Sequence, residues 1–175
     1  DLAVAGIRVD GAAMVGDDLA RDGRLRFLAG DREAALAALD AGGVVIVPAG
    51  VAARDGLAAD DVITVTAADG SALDLRVAGV AERTLPGREG EALIVGWSDA
   101  ERLGVAGADA FAIRYEPAAT ADQRAAVAAQ ARTIALEPVG LGEIQGAIGQ
   151  ALDRIFGLFD ALALVAVIVA SLGIV

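Results

Sequence analysis

The sequence has no cysteine, no histidine and no lysine. Without thiols there is no disulfide framework and no thiolate chemistry. Without imidazole the chain cannot build a Ser–His–Asp triad, a His-ligated zinc or a histidine base. Without an ammonium there is no Walker-A lysine and no Schiff base. All 14 basic residues are arginine, set against 25 Asp and Glu, for a net charge of −11. An acidic body of this kind argues against nucleic acid as a partner, because nucleic acid rewards clustered positive charge. It is equally ill-suited to an anionic cytoplasmic leaflet, so an outward-facing location is expected. Aromatic residues make up 3%, leaving few platforms on which a sugar could stack. Carboxylates, arginine and hydroxyls are what remain for chemistry.

What the chain has in quantity is aliphatic side chain. Hydrophobic residues reach 56% and mean hydropathy is +0.59, both raised by alanine. The longest apolar run is residues 155–175, IFGLFDALALVAVIVASLGIV, whose one ionisable residue is Asp160. A helix crossing a bilayer core needs about 20 mostly apolar residues, and this run is expected to be such a span. The alternative, an alanine-rich core helix, normally shows a polar stripe, and residues 161–175 have none. Upstream, Ile144, Ile148, Leu152, Ile155 and Phe159 recur at helical spacing, which predicts one amphipathic helix running into the span. Asp160 falls at its boundary, where an interfacial position is expected and an intramembrane role is the alternative. Gly142-x-x-x-Gly146 and Ala166-x-x-x-Ala170 supply small residues for close helix packing. Opening on Asp1 and ending within an apolar run, the sequence is expected to be an excerpt of a longer chain.

The body before this helix reads as mixed α and β. Residues 2–9 predict a short strand and 10–23 a polar loop. Arg24–Leu28 predicts a second strand, and Asp31 caps a helix stopped by Gly42–Gly43. VVIVP at 44–48 predicts a strand covered on both faces. About one helical turn follows, ended by Gly56, and then a hairpin, 62–66 with 73–80, turning on Asp69–Gly70. Its alternation breaks at Gly79, which predicts a bulge or a close backbone contact. Residues 82–91 read as a charged loop and 92–95 as a strand. Ser98 with Glu101 and Thr120 with Gln123 each have capping-box spacing. Together with AFAIRY at 110–115 and the run at 133–136, the second box predicts a β–α–β unit. The fold class is α+β, with a β-rich middle at 44–96 between α/β pieces at 1–43 and 97–138. A stalk at 139–154 and the membrane helix at 155–175 complete the expected division.

Three constellations point weakly at chemistry. Asp17–Asp18 lacks the D-x-D-x-D-G spacing of a calcium loop. Gly140-x-Gly142-x-x-x-Gly146 is a loosened dinucleotide fingerprint with its third glycine one place late and no acidic ribose partner downstream. Glu82, Glu89 and Glu91 flank a strand, as a glycosidase carboxylate pair would, yet charged loops are mostly just solvated. No catalytic, cofactor-binding or metal-ligating residue is assigned, and no cofactor is expected.

Three stretches carry a family resemblance. VVIVPAGVAARDGLAADDVITVTAADGSALDLRVAGVAERT, from Val44, resembles the extracytoplasmic region of FtsX-like/MacB-like ABC transporter permeases. The shared order is a strand, a short helix, a G-x-x-x-G-D-like turn and a hairpin ending in V-x-G-V. Here the turn reads Gly56-Leu-Ala-Ala-Asp60-Asp61, so Asp60 stands where that pattern has glycine. FAIRYEPAATADQRAAVAAQARTIA is similar to the closing β–α–β of that family's porter-like subdomain. IGQALDRIFGLFDALALVAVIVASLGIV is similar to its stalk and following membrane helix. The resemblance implies the membrane subunit of a type VII-like ABC system, with residues 1–154 extracytoplasmic. Its implied partners are a separate cytoplasmic ATPase, a second permease copy or homologous half, and membrane lipid. Its implied work is to turn ATP hydrolysis into movement of an outer domain that exports or extracts lipid, lipoprotein, peptide or drug, or activates a partner. A single-pass anchored binding or sensor domain is the alternative.

Overall fold

The computed structural model describes residues 2–108 and 110–140, with 142, 143, 146, 149 and 150. In chain order the elements are β1 (Leu2–Val4), β2 (Ile7–Val9), β3 (Gly11–Ala13), α1 (Gly16–Asp22), β4 (Phe27–Ala29), α2 (Arg32–Ala41) and β5 (Val44–Pro48). They continue with α3 (Ala49–Asp55), β6 (Val62–Ala67), β7 (Ala72–Ala81), β8 (Leu93–Val95), α4 (Trp97–Arg102) and α5 (Ala121–Thr133). The fold is a mixed α/β one, compatible with the α+β class, and it divides into a unit ending at Ala110 and a unit beginning at Phe111.

All eight strands of the first unit form one sheet, in the order β2-β1-β6-β7-β5-β8-β3, with β4 also on β7. The β5–β7 and β3–β8 pairs are parallel and the rest antiparallel. The two ends of that order are consecutive in sequence, separated by Asp10 alone. Six strand spacings of about 4.8 Å would put the ends of a flat sheet roughly 29 Å apart, whereas residues 9 and 11 lie within about 7 Å. The sheet therefore curls until its ends meet, as a barrel-like wall with its seam at Asp10.

Curling gives each strand an inside and an outside, and the apolar residues divide accordingly. Val45 and Val47 of β5 and Leu93 and Val95 of β8 join Val4, Val9, Ile63, Val65, Leu75 and Val77 in the interior cluster. Their neighbours Val44, Ile46 and Ile94 point the other way and pack with Leu19, Leu36 and Leu39 of α1 and α2. This explains why β5 is apolar at every position and buried throughout. Strands sandwiched between an interior and a helical layer cannot alternate polar and apolar residues.

The helical layer is held by its own polar ends. α1 has no cap from its N-cap residue, Val15. Instead Asp40 of α2 accepts the N–H groups of Gly16 (2.8 Å) and Asp17 (3.2 Å). At the opposite end the Arg32 guanidinium donates to the carbonyls of Leu19 (3.2 Å), Ala20 (3.4 Å) and Gly23 (3.1 Å). A carboxylate at the N-terminus and a cation at the C-terminus both complement the helix dipole. Residues 10–23, expected as a loop, thus contain β3 and α1, whose caps and partner strand come from far along the chain.

The expected strand over 2–9 is instead a hairpin, β1–β2, turning on Ala5 and Gly6 at φ 50 and 79. Two successive positive φ values are the type I′ signature. Ala5 tolerates that region poorly, so Ala5→Asn should stabilise the first unit by about 1 kcal/mol. The urea midpoint, followed by fluorescence of Trp97, the chain's single tryptophan, measures it. A lower or unchanged midpoint would count against the turn.

Other expectations meet the structure closely. Asp31 caps α2 by accepting the Ala34 N–H at 2.8 Å, and Gly56 ends α3 in the left-handed region. The β6–β7 hairpin forms, and its register against β5 shifts where Val45 opposes Val77 and Ile46 opposes Gly79. A Cβ on Gly79 would lie 2.6 Å from the Phe27 ring and 3.0 Å from the Ala29 carbonyl. Both readings of Gly79, the bulge and the close contact, hold. The Asp69–Gly70 turn is tied by Asp69, whose Oδ1 accepts from the Ser71 N–H (2.9 Å) and hydroxyl (2.7 Å).

These bonds, the hydroxyl's foremost, hold the Asp69 carboxyl below the usual carboxylate range. A depressed value means that the contribution is fully present above about pH 4 and lost as pH falls through the folded-state value. An NMR titration of Asp69 should therefore show a low midpoint that rises toward the ordinary value in Ser71→Ala. An unchanged midpoint would show that the hydroxyl is not the cause.

Two expectations are corrected. Ser98 and Glu101 form no capping box: α4 begins two residues earlier, with Gly96 at its N-cap and no side-chain cap. The sheet of the first unit takes strands from both sides of position 43/44. In the second unit, α5 starts from the expected box, with Thr120 Oγ1 and Gln123 Oε1 each accepting the other's N–H, but no strand flanks it among the described residues. Residues 110–115 carry no ladder, and Phe111 and Ile113 are exposed at 62% and 56%. Beyond α5 the chain turns through Ala135 at φ 59, so 133–136 is not extended. Among the described residues the alternation has no neighbouring strand, and strands are made by pairing.

Candidate functional site

The residues assigned to the stalk face, Ile144, Ile148, Leu152, Ile155 and Phe159, lie outside the described residues. So do Asp160 and the span residues Ala166 and Ala170. Among the described residues, no helix is long and apolar enough to cross a membrane.

Two of the carboxylates that prompted chemical readings have ordinary partners. Asp18 pairs with Arg21 at 3.3 Å and Glu82 with Arg26 at 3.0 Å, both at the surface. Glu89 and Glu91 border a hollow of about 250 Å³ with Arg54 and Val51. Arg54, however, forks onto its neighbour Asp55 at 2.7 and 2.6 Å, which lowers the Asp55 carboxyl chiefly by that hydrogen bond. Among the described residues no group of three or more acidic side chains is placed to hold a metal ion. At the loosened fingerprint, Glu143 turns back so that its carboxylate accepts the Gly140 N–H at 3.3 Å. That occupies the backbone donor a phosphate would need.

The most elaborate polar geometry lies at the C-terminal end of α2. Asp99 of α4 is 1% exposed and accepts the Gly43 N–H at 2.6 Å, with Arg102 3.2 Å away. Gly42 and Gly43, at φ 82 and 78, bring the chain out of α2 and into β5 at this point. A Cβ on Gly96 would strike the Leu39 carbonyl, and one on Gly16 would strike the Leu36 carbonyl. α1 and α4 thus both press onto the last turns of α2 through glycines. This junction is structural: its carboxylate is spent on the Gly43 backbone and on Arg102.

A second junction surrounds the 56–61 turn. Asp60 sits at φ 73. Its N–H donates to the Val77 carbonyl at 2.8 Å, the Val77 N–H donates to the Asp61 carbonyl at 2.7 Å, and its carboxylate pairs with Arg76 at 2.9 Å. Beside it a hollow of about 210 Å³ opens at the start of α2, bordered by Asp31, Asp60 and Arg76. Its charges are already matched to one another or to backbone, so it offers shape without an unspent group.

Two apolar depressions remain. In the first unit, a groove of about 270 Å³ runs along β3, with Met14, Leu85, Trp97 and Val105 in its walls. In the second, Ile113, Tyr115, Ala126 and Val127 line a wider one of about 590 Å³, where Arg124 stands 5.6 Å over the Tyr115 ring. Sequence reasoning named none of Arg32, Asp40 or Asp99. Each acts on backbone remote in sequence, and no local spacing announces such a bond. Comparison of the chain with protein-family models, with curated proteins and with solved structures finds no match.

Proposed function

We propose that this chain is the extracytoplasmic domain and stalk of an ABC transporter permease subunit. In this reading ATP is hydrolysed on a separate subunit, and the chain converts the resulting motion into movement of an outer domain. The observation that carries the reading is the stretch from Val44 to Ala81. The resemblance asks for a strand, a short helix, a tight turn and a hairpin with V-x-G-V at its end. β5, α3, the 56–61 turn and the β6–β7 hairpin follow in that order, with Gly79 at the bulge. Asp60, which replaces the second glycine of the G-x-x-x-G-D-like turn, adopts φ 73, a conformation for which glycine is the natural occupant. The apolar sequence of 155–175 supports the membrane side of the reading.

The finer architecture belongs to the same proposal: a β-rich insertion between porter-like pieces, a stalk over 139–154 and a membrane helix from 155. So do the cell-membrane location and the partners, an ATPase, a second permease copy or half, and lipid. Substrates in this class are lipids, lipoproteins, peptides or drugs.

The test is isolation of the full-length protein from its native membrane in mild detergent. Co-purification of an ABC ATPase, with hydrolysis that loses its coupling in a folded Ile148→Asp or Ile155→Asp variant, is the expected result. Release of the protein by alkaline carbonate would remove the membrane reading. A membrane-retained protein with no ATPase partner would leave the anchored binding domain in its place. Normal coupling in both variants would remove the transmitting role of the stalk.

A further inference from the structure

We draw no further inference here: the strongest candidate, the apolar groove along β3 walled by Met14, Leu85, Trp97 and Val105, carries nothing because nothing in the structure shows what covers it.

Discussion

Gly96→Ala is expected to lower the stability of the first unit by about 3 kcal/mol, at the upper end of ordinary overpacking. The backbone at this position, φ −73 and ψ 161, is open to any residue, so conformational freedom is not why glycine is there. Space is the reason. The added methyl would fall on the Leu39 carbonyl oxygen, which is main chain in the last turn of α2 and cannot rotate aside. Leu39 itself is fully buried, so α2 cannot retreat without disturbing the layer that covers β5. Either α4 lifts, loosening Ala100 and Leu103 from the interior, or α2 shifts. Gly50→Ala is the control: nothing lies within 4 Å of its Cβ position and it stands within α3. That substitution should be neutral or gain up to about 1 kcal/mol from helix propensity. Urea unfolding followed through Trp97 reads the first unit selectively, because the fluorophore lies at the start of α4. Equal midpoints for the two variants would show that the helices are not in the close contact described.

Asp99→Ala should cost about 2 kcal/mol, the loss of a charge-assisted, part-buried hydrogen bond. The Gly43 N–H has this carboxylate as its acceptor at 2.6 Å. Arg102, by contrast, is 62% exposed on its side chain, and such ion pairs contribute little. The effects should therefore separate. Asp99→Asn retains an acceptor oxygen and should lose about 1 kcal/mol, and Arg102→Ala should fall within about 0.5 kcal/mol of the parent. If Asp99→Asn proved as damaging as Asp99→Ala while Arg102→Ala was also costly, the ion pair rather than the backbone bond would hold this corner.

The local grammar of the chain was readable because its causes are local. Asp31 and Thr120 sit a fixed few residues from the N–H groups they cap. Asp69–Gly70 specifies its own turn, and the VVIVP run declares burial on both sides. Gly79 announced an irregularity that the Phe27 ring then explained. The parts that could not be read depend on residues far apart. α1 is short and lacks a cap from its own N-cap residue; Asp40 and Arg32 reach in to complete its ends. Ser98 and Glu101 had the right spacing for a capping box, but the contact between Gly96 and Leu39 sets where α4 begins. The alternation of Phe111, Ile113 and Tyr115 described a strand in search of a neighbour, and the pattern alone cannot supply one. The closure of the sheet was invisible for the same reason: β2 and β3 are three residues each, and nothing in either names β1 or β8 as its partner. Of the candidate site, the acidic loops were legible as solvated groups, whereas Asp99 gave no signal.

The seam at Asp10 also governs how this unit comes into being. Val9 finds its partner Leu2 within a few residues, so one half of the closing strand forms early and cheaply. Gly11 must wait for Leu93, about eighty positions downstream. The entropy of closing so long a loop grows only slowly with length, but the search it implies is what slows folding in sheets dominated by distant contacts. During synthesis the wall stays open until β8 has emerged. β3 is thus made long before it is secured, and the apolar faces of β5 and β7 remain accessible to wrong partners throughout that interval.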